Sequence, residues 1–220
     1  MSSFPILVTA ALLAALPQPG TAGPADLCLA AARDAAEATG VPLRLLIALS
    51  LTETGRKGAA GGLEPWPWAL NRGGESLWFA TRDEALATLE EILAAGTTNV
   101  DLGCFQLNWR WHSAGFASAA DMIDPGANAL YAAKFVARLY DETGDWRAAA
   151  AAYHSATPAR AEVYMTRFDP IYAALGDDPP APGTRLAGRA NLFPLLQGGA
   201  AISAGSLVPM DGAARPLFEG

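Results

Sequence analysis

The stretch Pro42-Leu43-Arg44-Leu45-Leu46-Ile47-Ala48-Leu49-Ser50-Leu51-Thr52-Glu53-Thr54-Gly55 decides how this chain reads. Proline suits the first turn of a helix, where its missing N–H is no loss, and glycine commonly follows the last turn. The spacing therefore predicts a helix over Pro42–Thr54. Counting back from Glu53 by helical steps puts Leu46, Leu49 and Ser50 on its face, so a carboxyl continues an apolar stripe. It also sits at the helix C-terminus, where the partial negative charge disfavours ionisation. Apolar burial acts the same way, and both raise a carboxyl pKa. An acid still protonated near neutral pH can give its proton to a leaving oxygen. From the helix alone, a glutamate fraying into solvent is the plainer reading, since most glutamates are exposed.

Outward from this helix the punctuation stays helical. Ala25 to Thr39 is alanine-rich and stops at Gly40. Thr81-Arg82-Asp83-Glu84 has the capping-box form and opens a helix through Leu86, Leu89, Ile92 and Leu93, ending at Gly96. Ser118 is placed to cap a short helix containing Met122 and Ile123. A longer helix is expected from about Ala127 to Thr143, burying Leu130, Phe135, Val136 and Leu139, before Gly144. Asp145 caps Trp146 to His154, and Ala159 to Phe168 continues until Pro170 interrupts. Only Asp101 to Asn108 reads as a strand, whose period of two would put Gln106 and Asn108 on one face. Gly61 to Trp78 reads as a long Gly-, Pro- and Trp-rich loop, of a length that is often functional. The expected fold is mainly α with at most a small β element.

Composition narrows the function. Of 220 residues 51% are hydrophobic and 17% charged, which suits a globular domain with one core. Acidic residues outnumber basic ones, 22 to 15, for a net charge of −7, and no basic stripe appears, which argues against a nucleic-acid partner. The only histidines and cysteines are His112, His154, Cys28 and Cys104, from which no zinc set can be assembled. GxxxxGK[ST], GxSxG and a strand-linked GxGxxG are all missing. Neither a metal nor a cofactor is expected.

The two ends differ from the middle. Ile6 to Leu16 is an apolar run too short for a membrane span. Small residues follow up to Ala22, so residues 1–22 read as a secretory signal peptide, although no Lys or Arg precedes the run. Export would place the chain in an oxidising compartment, where Cys28 and Cys104 are expected to form a disulfide. Residues 176–220 are rich in Gly, Pro and Ala without sustained periodicity, the composition of a flexible tail. Apolar clusters at Leu192–Leu196, Leu207–Met210 and Pro216–Phe218 interrupt it, which suits either loose packing on its own domain or a partner-binding tail.

Two further clusters could carry chemistry. In Gly103-Cys104-Phe105-Gln106-Leu107-Asn108 the amides suit sugar hydroxyls and acetamido groups. In Ala151-Ala152-Tyr153-His154-Ser155 a phenol and an imidazole end a helix, but no nucleophile elbow exists to make His154 part of a triad. Trp66, Trp68, Trp78, Trp109 and Trp111 are candidates for sugar stacking or for the core.

Taken in order with Ala48-Leu49-Ser50-Leu51-Thr52-Glu53-Thr54-Gly55, these clusters resemble the SLT domain of lytic transglycosylases, a lysozyme-like family (glycoside hydrolase family 23). The resemblance covers about residues 26–175 and implies a lysozyme-like α+β domain over residues 23–175. Cys104 and Phe105 stand where the family has Leu-Met, Thr54 where it has Ser, and His154 where it has Asn. The resemblance implies that Glu53 protonates the oxygen between N-acetylmuramic acid and N-acetylglucosamine, then takes the proton of the muramic C6 hydroxyl as a 1,6-anhydro ring closes. Thr54, Gln106, Asn108, Tyr153 and His154 would contact the substrate. Cys104 together with Asn99-Val100-Asp101-Leu102 resembles specialised members that open the wall for flagella or secretion systems. That implies a periplasmic enzyme acting on peptidoglycan strands, with a machine partner bound through residues 176–220.

Two rivals stand beside this reading. A goose-lysozyme-like hydrolase would use Glu53 as acid and a water held by Asp101 or Glu75. A non-catalytic scaffold of an envelope machine would bind glycan without turnover.

Overall fold

The structure, a computed structural model, describes residues 23–58 and 61–176. The expected signal peptide and all of the expected tail beyond Gly176 lie outside the described residues. The elements run α1 (Pro24–Thr39), α2 (Leu43–Thr54), β1 (Arg56–Lys57), β2 (Leu63–Glu64), β3 (Ala69–Arg72), β4 (Glu75–Trp78) and α3 (Arg82–Ala94). Then come β5 (Val100–Leu102), β6 (Leu107–Asn108), α4 (Trp109–His112), α5 (Ala119–Met122), α6 (Pro125–Thr143), α7 (Trp146–His154) and α8 (Pro158–Ala174). The fold is mainly α. β4, β3, β5 and β6 form an antiparallel sheet in that order, and β1 pairs separately with β2.

Helix ends follow side-chain chemistry. Thr81 accepts the Glu84 N–H while the Glu84 carboxylate accepts the Thr81 N–H, a closed capping box that opens α3. Ser118 caps α5, Asp124 caps α6 and Asp145 caps α7, each side chain accepting free N–H groups of the first turn. Gly144 ends α6 in the left-handed region, where a side chain would be strained.

The central element is α2. Leu45, Leu46, Ala48 and Leu49 are buried, and the helix packs against α1, α7 and α8. α6 corrects an expectation. Its buried face is Asn128, Ala129, Ala132, Ala133 and Val136, while Leu130, Phe135 and Leu139 are only partly buried. The reason is close approach: α6 packs on α1, whose own buried face is Cys28, Ala31, Ala32 and Ala35. Small side chains let two helix backbones come together, so the bulky residues face elsewhere, Phe135 and Leu139 toward a cleft.

Three more expectations are corrected. Gly61–Trp78 is not a plain loop: β3 and β4 form a hairpin turning at Gly73 and Gly74, both at positive φ. Asp101–Asn108 is not one strand but β5 and β6 joined by a turn at Gly103–Gln106, so Gln106 and Asn108 do not alternate along one extended face. α8 does not end at Phe168; it runs through Pro170 to Ala174. An internal proline costs about 3 kcal/mol. Packing offsets this, because Phe168 is buried and the Arg44 guanidinium donates two hydrogen bonds, 2.8 and 2.6 Å, to the Tyr172 carbonyl past the proline. That guanidinium also lies 3.9 Å from the Tyr172 ring centre. Among the described residues no helix is long and apolar enough to cross a membrane.

Candidate active site

α2 delivers Glu53 to the wall of a cleft of about 930 Å³. The sheet, α4, α6, α7 and α8 supply the other walls. Gly55 ends α2 beside the cleft, with its N–H on the Leu51 carbonyl at 2.9 Å. A Cβ at Gly55 would lie 2.1 Å from that carbonyl oxygen, so the chain can leave the helix here only without a side chain.

The carboxyl of Glu53 is unlike a surface one. It is pushed up from 4.5 to about 7, chiefly because burial penalises the charged form. The neighbouring Asp101 charge adds to the rise, while the Tyr164 hydroxyl and the Arg167 charge hold it down. Tyr164, from α8, is buried and its hydroxyl has no partner at hydrogen-bonding geometry among the described residues. Its phenol is pushed up well above its ordinary range, by burial first and then by the Glu53 charge. Arg167 is fixed by a 2.8 Å hydrogen bond to the Thr52 carbonyl. Glu53 is thus half protonated near neutral pH, with a donor hydroxyl and a cation ready for its charged form.

Asp101 lies on β5 and lines the same cleft. Its carboxyl is also raised, by burial, against a 2.8 Å hydrogen bond from the Asn108 amide that lowers it. Glu75 is placed otherwise: it is exposed on β4, paired with Arg72, and does not line the cleft.

The turn between β5 and β6 is held from several sides. Cys104 is joined to Cys28 of α1 by a disulfide. The Cys104 carbonyl accepts the Ser50 and Thr54 hydroxyls of α2 at 3.0 and 3.2 Å. Buried Asn128 accepts the Phe105 N–H at 3.0 Å and donates to the Leu102 and Met122 carbonyls at 3.2 and 3.0 Å. The Tyr153 hydroxyl donates to the Phe105 carbonyl at 2.8 Å. Gln106 sits at φ 45°, a conformation that a non-glycine residue adopts only under constraint. Its Nε2 donates to the Ala69 and Gly103 carbonyls, both at 3.1 Å, which fixes the amide at the cleft wall.

Of the residues expected at the site, Glu53, Gln106, Asn108, Tyr153 and His154 line the cleft. Thr54 does not, which corrects that expectation. It is buried, its hydroxyl donates to the Ser50 and Cys104 carbonyls, and it accepts the Trp66 N–H at 3.1 Å. One residue past Glu53 on a helix is a turn of about 100°, enough to aim it inward. Of the five tryptophans named as stacking candidates, Trp78 and Trp111 line the cleft, and Trp111 is 72% exposed. Trp68 is in the core, Trp109 packs against it, and Trp66 donates its indole N–H to the Phe79 carbonyl.

Sequence reading missed Tyr164, Arg167, His112 and Asn128. His112 lines the cleft with its imidazole 3.2 Å from the Tyr131 hydroxyl, and burial, then Arg138, lowers its pKa. Tyr164 carried a signal: Tyr164, Phe168 and Tyr172 recur every four residues, one aromatic stripe on α8. Among the described residues no three His, Cys, Asp or Glu side chains cluster as a metal site. The chain matches no protein-family model, no curated protein and no solved structure.

Proposed function

We propose that this cleft cleaves peptidoglycan strands between N-acetylmuramic acid and N-acetylglucosamine as a lytic transglycosylase, leaving a 1,6-anhydro end. The observation that carries the reading is Glu53: a carboxyl in an open cleft, held near 7 by burial. At that value it is both a competent acid and, once deprotonated, a competent base. It gives its proton to the glycosidic oxygen as the C1–O bond breaks. The resulting carboxylate then accepts the proton of the muramic C6 hydroxyl as O6 bonds to C1. Water is not consumed, so one carboxyl serves both steps, unlike the two-carboxylate glycosidases. Tyr164 and Arg167 favour the charged form when it is needed. Gln106 and Asn108 have donated both amide N–H groups within the protein, so they offer a sugar their amide oxygens, and Trp78 and Trp111 offer exposed ring faces. A periplasmic setting and service to a flagellar or secretion machine belong to the same proposal, resting on the family resemblance of the turn at Cys104.

A hydrolase is the second reading, and Asp101 is the observation that favours it, since it lines the cleft and could hold a water. Paired substitutions separate the two. Glu53→Gln abolishes turnover in either case. Asp101→Asn leaves substantial turnover of purified peptidoglycan if no water is activated. Loss comparable to Glu53→Gln would favour the hydrolase, and no turnover by the parent chain would favour a glycan-binding scaffold.

A further inference from the structure

The cleft has a basic corner in which one arginine, Arg160, has no partner among the described residues. Arg160 and Arg167 of α8 and His154 of α7 all line it. Both arginine charges act on the His154 ring, lowering its pKa after burial, so the three groups are neighbours. His154 is held flat against Tyr164, ring centres 4.3 Å apart and planes 7° apart, which leaves its edge to the cleft. Arg160 is exposed, and its side chain has no hydrogen bond or ion pair among the described residues. Other arginines do: Arg72 pairs with Glu75 and Arg147 with Asp169. Arg160 also stands in the first turn of α8, at its positive end.

Arg167 already serves the Thr52 carbonyl and Glu53, so Arg160 is a second cation at the cleft whose counter-ion a ligand would have to supply. This chain is acidic overall, at −7. Its wider field repels an anionic polymer, so an anion must be gripped locally. Of the cleft carboxyls, Glu53 faces Arg167 and Asp101 is held by the Asn108 amide, and neither makes an ion pair with Arg160. A guanidinium fork is the side chain best matched to a carboxylate.

We propose that Arg160, with His154 and Arg167, forms a subsite for a carboxylate carried on the lactyl ether of the muramic sugar. This deepens the proposed function and rests on it. The carboxylate has two sources: the peptide stem, or the lactyl group itself once a stem has been removed. A tryptophan-lined cleft alone would not tell a muramic strand from a plain N-acetylglucosamine chain; this corner does.

The test is equilibrium binding with the full chain carrying Glu53→Gln, which consumes no ligand. Three ligands of equal sugar number are titrated at low salt: stem-bearing strands, amidase-stripped strands, and N-acetylglucosamine oligomers without a carboxylate. The Glu53→Gln chain should hold at least one muramic strand about tenfold tighter than the oligomer, the size of one charge-assisted hydrogen bond. Adding Arg160→Gln should bring that ratio close to one, while Arg160→Lys, a charge without the fork, keeps only part of it, and salt should erode it. Tighter binding of stem-bearing strands assigns the carboxylate to the peptide; tighter binding of stripped strands assigns it to the lactyl group. Oligomer binding with no carboxylate preference, or a preference untouched by Arg160→Gln, would overturn this proposal alone. Failure of all three ligands to bind would overturn the parent reading with it.

Discussion

Replacing Glu53 by glutamine should stabilise the protein in a pH-dependent way. The carboxyl ionises at about 7 in the folded chain against an ordinary 4.5. Between those values the folded state keeps a proton that the unfolded chain has released. Stability falls with rising pH wherever the folded state binds more protons, so wild type weakens from pH 4.5 to 7. At about 1.4 kcal/mol for each pH unit, ionisation costs the native state roughly 3 kcal/mol above pH 7. The amide has nothing to ionise and escapes that loss. The difference in unfolding free energy, Glu53→Gln minus wild type, should be flat below pH 4.5, climb by roughly 3 kcal/mol up to pH 7, and level off. For a domain of this size that corresponds to about 6–12 °C in Tm. Urea unfolding of both proteins at pH 4 to 8 reads the curve directly, and titrating groups not coupled to Glu53 cancel in the difference. A flat difference over the whole range would mean that Glu53 ionises like a surface carboxyl. The acid role would then lose its physical basis.

Three further outcomes follow from the same geometry. Tyr164→Phe removes a hydroxyl that favours the Glu53 carboxylate, so the alkaline fall of kcat/KM, which tracks loss of the Glu53 proton, should move to higher pH; a downward move would contradict the assignment. Cys28→Ala with Cys104→Ala opens a 76-residue separation, which the chain-entropy view values at about 4–5 kcal/mol of stability; denaturant melts of oxidised protein should show it, with wall-digesting activity lost first as the Gln106 turn loosens. Gly103→Ala places a Cβ 2.6 Å from the Asn128 amide at φ +81°, and should cost about 2–3 kcal/mol in a urea melt; an unchanged midpoint would mean the turn is not held as described.

What the sequence made legible was local chemistry. The Thr81–Glu84 capping box, the Ser118 and Asp145 caps and the Gly144 stop are decided within one turn of chain, and the structure carries them. Glu53 was legible because helical spacing and a C-terminal position act on the carboxyl together. The α6 face was misread because periodicity counts bulky residues, whereas close helix packing selected Ala129, Ala132 and Ala133. The β3–β4 hairpin carried Gly73-Gly74 as a turn signal, hidden among the tryptophans and prolines before it. Tyr164, Arg167 and Arg160 reach the site only because α8 crosses α2 and α7. No local pattern encodes that crossing, and Pro170 concealed the full length of α8.

In the proposed reaction Glu53 alone carries both proton transfers and no water enters the product. Digestion of purified peptidoglycan in water enriched in oxygen-18, followed by mass analysis of the released sugars, distinguishes this from hydrolysis. The expected products are muropeptides ending in 1,6-anhydro-N-acetylmuramic acid, one water lighter than hydrolytic products and free of the heavy oxygen. Reducing ends carrying one oxygen-18 would contradict it and identify a hydrolase.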